Sequence, residues 1–168
     1  MKKVLVTSAL PYANGKVHLG HLAGAYLPAD IFVRHLRLKG HDVKFICGSD
    51  EHGVPITLNA LKRKLTPQQV VDEFHALNGA AFAAADVQFD IWSRTSSPEH
   101  HTLTQQFFKR LYEKGYIEKR QTQQLYSEKL KMFLPDRYVE GTCPVCRDPN
   151  ARGGECEACG ATFEVTEL

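Results

Sequence analysis

The chain has 168 residues, 43% hydrophobic and 24% charged, enough for one domain with a small appendage and apolar enough to build a core. A formal net charge of +2 excludes a dedicated nucleic-acid surface, which would show as a strongly basic stripe. No apolar stretch is long enough to span a membrane, and Pro11 cuts short the run after Met1-Lys2-Lys3, so there is no secretory signal and the expected compartment is the cytoplasm.

The first predicted element is a strand over Lys2–Ala9, whose apolar run Val4-Leu5-Val6 is too short for a helix. It breaks at the turn formers Pro11, Asn14 and Gly15. His18-Leu19-Gly20-His21 then opens a helix whose stripe runs Leu22, Tyr26, Ala29, Val33, Leu36 and stops at Lys39-Gly40. Pro28 lies inside that helix and is expected to kink it or mark a restart. Strand, turn and helix with two imidazoles in its first turn is the layout of a phosphate site, because free backbone N–H groups and the helix dipole attract anions there. Gly20, lacking a side chain, leaves room for a flat ring on the backbone. A second strand over Asp42–Gly48 completes a βαβ unit and implies a parallel sheet. Ligands of such sheets bind at the carboxyl ends of the strands, here Ser8–Tyr12 and Gly48–Gly53. Read from the residues alone, Asp50 is either a solvated turn residue or a carboxylate suited to an ammonium group.

The stretch Pro11-Tyr12-Ala13-Asn14-Gly15 followed by His18-Leu19-Gly20-His21 resembles the first signature of the class I aminoacyl-tRNA synthetases. That resemblance implies ATP contacts from Pro11, Tyr12, Asn14, Gly15, His18, Gly20 and His21, with His18 and His21 catalytic through the phosphates. Phe45 to Ile56, FICGSDEHGVPI, is similar to the matching segment of methionyl-tRNA synthetases. It implies that Asp50 holds the amine of methionine, with Ala9, Leu10 and Tyr12 lining the amino acid pocket.

Further along, Pro55–Lys64 reads as a short helix, and Thr66 with Pro67 opens another that runs to about Ala85. Phe89–Ser93 alternates as a third strand. Ser96 or Ser97 caps a helix from Pro98, with Leu103, Phe107 and Leu111 as its expected buried stripe. Trp92 reads as a core residue and Cys47 as an inert buried thiol, while His100 and His101 receive no role. The texture changes near Gly115, where short alternating pieces at Tyr116–Glu118 and Leu125-Tyr126 replace helical periods.

Five cysteines in a reducing compartment argue for metal binding or buried thiols rather than disulfides. Cys143 and Cys146, then Cys156 and Cys159, form two CxxC knuckles, the spacing of a closed structural zinc site with no open position for catalysis. The surrounding FLPDRYVEGTCP is similar to the zinc knuckle inserted in the catalytic domain of methionyl-tRNA synthetases.

The expected fold is therefore α/β: a Rossmann-like (HUP-type) parallel-sheet half-domain over 1–115, with a small zinc-knuckle module over 116–168 that begins the connective insertion. The resemblance implies methionine–tRNA ligase activity, with ATP, L-methionine and tRNA(Met) as partners, one structural Zn²⁺ and Mg²⁺ accompanying ATP. The family's lysine-bearing second signature is missing, and Lys129-Leu130-Lys131-Met132 before the cysteines is only superficially like it. The chain is thus expected to be an N-terminal portion, catalytically incomplete alone and with little affinity for tRNA. Two alternatives are another HxGH nucleotidyltransferase that makes an adenylate without tRNA, and a non-catalytic zinc-ribbon binding module.

Overall fold

The computed structural model describes residues 1–129 and 131–168, and divides into two compact units, Met1–Lys114 and Gly115–Leu168. In the first unit β1 (Lys3–Thr7), β2 (Asp42–Ser49) and β3 (Ile91–Arg94) form a three-stranded sheet in the order β1-β2-β3. Both pairings are parallel, with Val6 opposite Phe45 and Cys47 opposite Trp92. The parallel sheet read from the βαβ pattern is thus present.

Two strand ends differ from expectation, each because a side chain takes a ladder position. β1 stops at Thr7 rather than Ala9, and the Ala9 carbonyl accepts a 2.9 Å bond from the Tyr26 hydroxyl. β3 starts at Ile91 rather than Phe89: Asp90 N–H donates to the Phe45 carbonyl at 2.7 Å, and the Asp90 carboxylate accepts from Phe45 N–H at 2.6 Å.

The segment after the first loop comprises α1 (Leu19–His21), a wide π-helical turn (Leu22–Tyr26) and α2 (Leu27–Leu38). This resolves the conflict at Pro28. The Leu27 N–H reaches back five residues to the Leu22 carbonyl, and Pro28 falls in the first turn of the restarted helix, where its missing N–H costs little. Tyr26 and Val33 from this segment pack with Val43, Phe45 and Cys47 of β2 and with Phe82 and Val87.

α3 (Val54–Arg63) and α4 (Pro67–Ala84) build a second cluster, Ile56 and Ala60 against Val70, Val71 and Phe74, with Ala13 of the first loop buried among them. α4 starts with a reciprocal cap: Gln69 N–H donates to the Thr66 hydroxyl at 3.2 Å and Thr66 N–H donates to the Gln69 amide oxygen at 2.8 Å. Ser97 caps α5 (Pro98–Glu113) by accepting from His100 N–H. The expected buried stripe on α5 is a correction. Leu103 is 66% and Phe107 63% exposed, and no residue of that helix is buried. The helical period fixed which side chains share a face; among the described residues nothing covers that face.

The second unit holds two short antiparallel pairs, β4 (Tyr126–Ser127) with β5 (Met132–Phe133) and β6 (Glu140–Gly141) with β7 (Ala151–Arg152). The alternating piece Tyr116–Glu118 forms neither strand nor helix. Leu130, inside the Lys129–Met132 stretch, lies outside the described residues. Among the described residues no helix is long and apolar enough to cross a membrane.

Candidate functional site

The loop leaving β1 is tied to the residue that follows β2. Asp50 N–H donates to the Pro11 carbonyl at 2.9 Å, and Ala13 N–H donates to the Asp50 carbonyl at 2.8 Å. These bonds make Tyr12 and Asp50 an isolated parallel bridge past the strand ends. The backbone of Asp50 is therefore fixed, while its half-buried carboxyl makes no side-chain hydrogen bond among the described residues. Gly53, at φ 126°, faces Tyr12, and a Cβ there would stand 2.7 Å from the Tyr12 hydroxyl. Leu10 lines a cavity of about 360 Å³ at the carboxyl ends of all three strands, together with Thr7, Ser8, Cys47, Ser93 and Arg94. Ala9 stands beside it in the chain and is exposed, its carbonyl fixed by Tyr26. Burial pushes the Tyr26 hydroxyl up to about 12 and raises the Cys47 thiol, so both stay neutral at neutral pH.

A second cavity, about 260 Å³, is lined by Pro11, Tyr12, Asn14, Gly15, Lys16, Val17 and His21. The two histidines of the first turn cap each other. His18 Nδ1 accepts from Gly20 N–H at 3.1 Å, and His21 Nδ1 accepts from His18 N–H at 3.2 Å. Their rings stack with centroids 3.8 Å apart and 28° between planes. An Nδ1 that accepts a bond carries no proton, so each neutral ring bears its hydrogen on Nε2. Both side chains are exposed, which turns these Nε2–H groups into available donors. A Cβ on Gly20 would lie 3.1 Å from the His18 ring, so the glycine makes room for that imidazole itself.

Two further groups hold the site, and the sequence reading missed both. Asn59 of α3 donates to the Asn14 amide oxygen at 2.9 Å, and Asn78 of α4 bonds Gly15 and Val17. Beside Asp50, the Glu51 side chain is 0% exposed and accepts 2.7 Å from Arg94 Nε and a short bond from each of the Ser49 and Ser96 hydroxyls. Arg94 also reaches Asp72 at 2.6 Å, so the buried carboxylate is fully paired. His75 completes this cluster 2.7 Å from the Ser49 hydroxyl, and desolvation, then the Arg94 charge, hold its pKa below the usual imidazole value. A turn-like GSDEHG segment gave no sign of this, because Arg94 lies far along the chain. Asn78 did leave a trace. It stands between Phe74 and Phe82 at four-residue spacing, a polar residue on an apolar stripe.

In the second unit the Sγ atoms of Cys143, Cys146, Cys156 and Cys159 all lie within 4.8 Å of one another. Cys143 and Cys159 are 3.9 Å apart, and Cys146 and Cys156 are 3.6 Å apart. A tetrahedral zinc with bonds near 2.3 Å separates its sulfurs by about 3.8 Å, so the four thiols fit such an ion. Their protons agree. N–H groups of Cys146 and Val145 draw the Cys143 thiol down to about 6. The Asp148 N–H pulls Cys146 the same way, yet its contacts with Cys159 and the other thiols, with burial, push it up to about 12. Four thiolates this close cannot coexist without a cation.

A family model described as tRNA synthetases class I (M) matches residues 4–168. The methionine–tRNA ligase of Pyrococcus horikoshii is 59% identical over 160 residues, covering 95% of this chain and 22% of that protein. The methionine–tRNA ligase of Chlorobaculum tepidum is 55% identical over 167 residues, 99% of this chain and 24% of that protein. The chain thus spans less than a quarter of these relatives. Among solved structures, Mycobacterium tuberculosis methionyl-tRNA synthetase in complex with methionyl-adenylate aligns at TM-score 0.71 and 24% identity, over 90% of this chain and 31% of that one. The Agrobacterium radiobacter K84 agnB2 LeuRS–tRNA–LeuAMS complex aligns at 0.70 and 22%, over 90% and 19%. These two likenesses bear on the fold.

Proposed function

The chain belongs to the class I (M) tRNA synthetases, and on that premise we propose that it supplies the first part of the active site of a methionine–tRNA ligase. The reaction is activation of L-methionine by ATP to methionyl-adenylate and pyrophosphate, then transfer of the methionyl group to tRNA(Met). The observation that carries the reading is the Tyr12–Asp50 bridge, which joins the loop leading to His18 and His21 to the half-buried carboxyl of Asp50 at the strand ends.

In this mechanism the methionine ammonium pairs with Asp50, and Ala9, Leu10 and Tyr12 border its side chain. Pro11, Tyr12, Asn14, Gly15 and Gly20 hold the nucleotide. A carboxylate oxygen of methionine attacks the α-phosphorus, the bond to the bridging oxygen breaks, and pyrophosphate leaves with that electron pair. The Nε2–H groups of His18 and His21 donate to phosphate oxygens, and those bonds strengthen as charge builds in the transition state. Their mutual backbone caps hold both rings in that tautomer before ATP arrives. The protein supplies positioning and electrostatics rather than a covalent intermediate. Mg²⁺ would accompany ATP and offset the charge of its phosphates. Cys143, Cys146, Cys156 and Cys159 would hold one Zn²⁺ per chain, which would supply structure alone. The reading places the reaction in the cytoplasm as a proposal, and the small net charge of this chain supports little tRNA affinity of its own.

The test is ATP–pyrophosphate exchange by the complete enzyme that carries this chain, comparing wild type with His18→Ala and His21→Ala. Exchange falls by about a hundredfold or more in each variant while methionine affinity holds. Exchange at the wild-type rate in either variant removes the catalytic assignment. Exchange driven by another carboxylic substrate and not by methionine favours a different adenylate-forming enzyme, and no ATP binding at all leaves the zinc-ribbon alternative.

A further inference from the structure

We infer that Asn78 is a positioning residue for ATP: from α4 it sets the loop that delivers His18. This rests on the reading above that His18 and His21 face the phosphates.

Asn78 is only 1% exposed, in a helix whose neighbouring stripe positions Phe74 and Phe82 are both buried. Helical periodicity calls for an apolar side chain there, and a buried amide is costly unless its polar atoms are used. Both are. Its Oδ1 accepts from Val17 N–H at 2.9 Å, and its Nδ2 donates to the Gly15 carbonyl at 3.3 Å. Neither of those loop groups has a backbone partner among the described residues. The amide therefore does for the loop what a neighbouring strand would do, supplying a donor and an acceptor two residues apart. Val17 immediately precedes His18, whose ring and N–H carry both caps of the histidine pair. A loop that shifts at Val17 moves the imidazoles with it.

An isosteric leucine would fill the same space and leave two part-buried backbone groups unpaired. The opposite end of the same loop, at Asn14, is held independently by Asn59. Asp50 is held through Pro11 and Ala13 and shares no bond with Asn78. The effect of Asn78 is therefore confined to the nucleotide side of the site.

The experiment is Asn78→Asp in the complete enzyme. The change keeps the shape and the acceptor to Val17, but removes the donor to Gly15 and sets a carboxylate oxygen against that carbonyl. In methionine-dependent pyrophosphate exchange the KM for ATP rises about tenfold, while the KM for methionine stays within about twofold. A merely structural role lowers the amount of active enzyme and leaves both KM values alone; that result overturns the inference. Absence of methionine-dependent exchange in the wild type sinks the reading beneath it and the inference together, whereas exchange with an unchanged KM ratio in the variant sinks the inference only. Should Asn78→Asp fail to fold, amide hydrogen exchange on the wild type decides. The Val17 amide is protected relative to that of Lys16 and is protected further by ATP but not by methionine. A Val17 amide indifferent to ATP contradicts the proposal.

Discussion

Removing the metal from the cysteine module should unfold that module and spare the rest. Among the described residues, the hydrophobic core of Gly115–Leu168 is Cys143, Ala151 and Cys156, with Phe163 and Leu168 packed partly against it. Two of these three side chains, Cys143 and Cys156, are the metal's own ligands. The apolar remainder contributes at most about 7 kcal/mol, counting Phe163 and Leu168 at the upper end of a full burial and Ala151 at about one methyl group. Structural zinc in peptides of this size binds with an apparent free energy of about 10–16 kcal/mol near pH 7. The ion therefore dominates, and the short pair β6–β7 has no independent support. The assay is a chelator titration of the 168-residue chain followed by amide NMR, with released zinc counted in parallel. The amides of residues 141–163 collapse into the random-coil range as about one equivalent of zinc appears, while those of β1 and β2 keep their dispersion. Full dispersion of residues 141–163 in zinc-free, reduced protein would refute the reasoning.

Asp50→Asn should weaken methionine binding by about 10- to 150-fold, the worth of a charge-assisted bond, with the KM for ATP little changed; methionine affinity equal to wild type by calorimetry returns Asp50 to an ordinary loop residue. His75 gives a pH signature. Its folded pKa is depressed below 6.5, so the unfolded chain binds the proton more readily, and this contribution is full above about pH 6.5 and declines as pH falls below it. Urea midpoints of the wild type should therefore drop more steeply between about pH 7 and 5 than those of His75→Gln; parallel slopes would contradict the shift.

The sheet and its connections were legible because they follow from short-range chemistry. Val4-Leu5-Val6 and Asp42–Gly48 are apolar runs too short for helices, and Thr66-Pro67 with Gln69 spells a cap that needs no tertiary help. The ends of β1 and β3 were not legible, since the bonds that end them come from Tyr26 and from the Asp90 carboxylate across the sheet. The stripe of α5 was read correctly as a shared face and wrongly as buried, because periodicity states which residues align and is silent on what covers them. The same limit hid Glu51. Its neighbours in sequence suggest a solvated turn, whereas Arg94, Ser96 and Ser49 make a buried carboxylate affordable only once the strands are side by side. The cysteines lie at the other extreme, their spacing alone predicting the cluster that the sulfur positions display.

The central claim, that the loop at His18 and the carboxylate of Asp50 serve one methionine-activating site, is tested most directly by ATP–pyrophosphate exchange with an amino acid panel. The complete enzyme carrying this chain is assayed with methionine, leucine, isoleucine and valine, alongside Asp50→Ala. The account predicts exchange with methionine far above the other three and its loss in the variant. Equal exchange with leucine or valine, or methionine-dependent exchange that survives in Asp50→Ala, would contradict it.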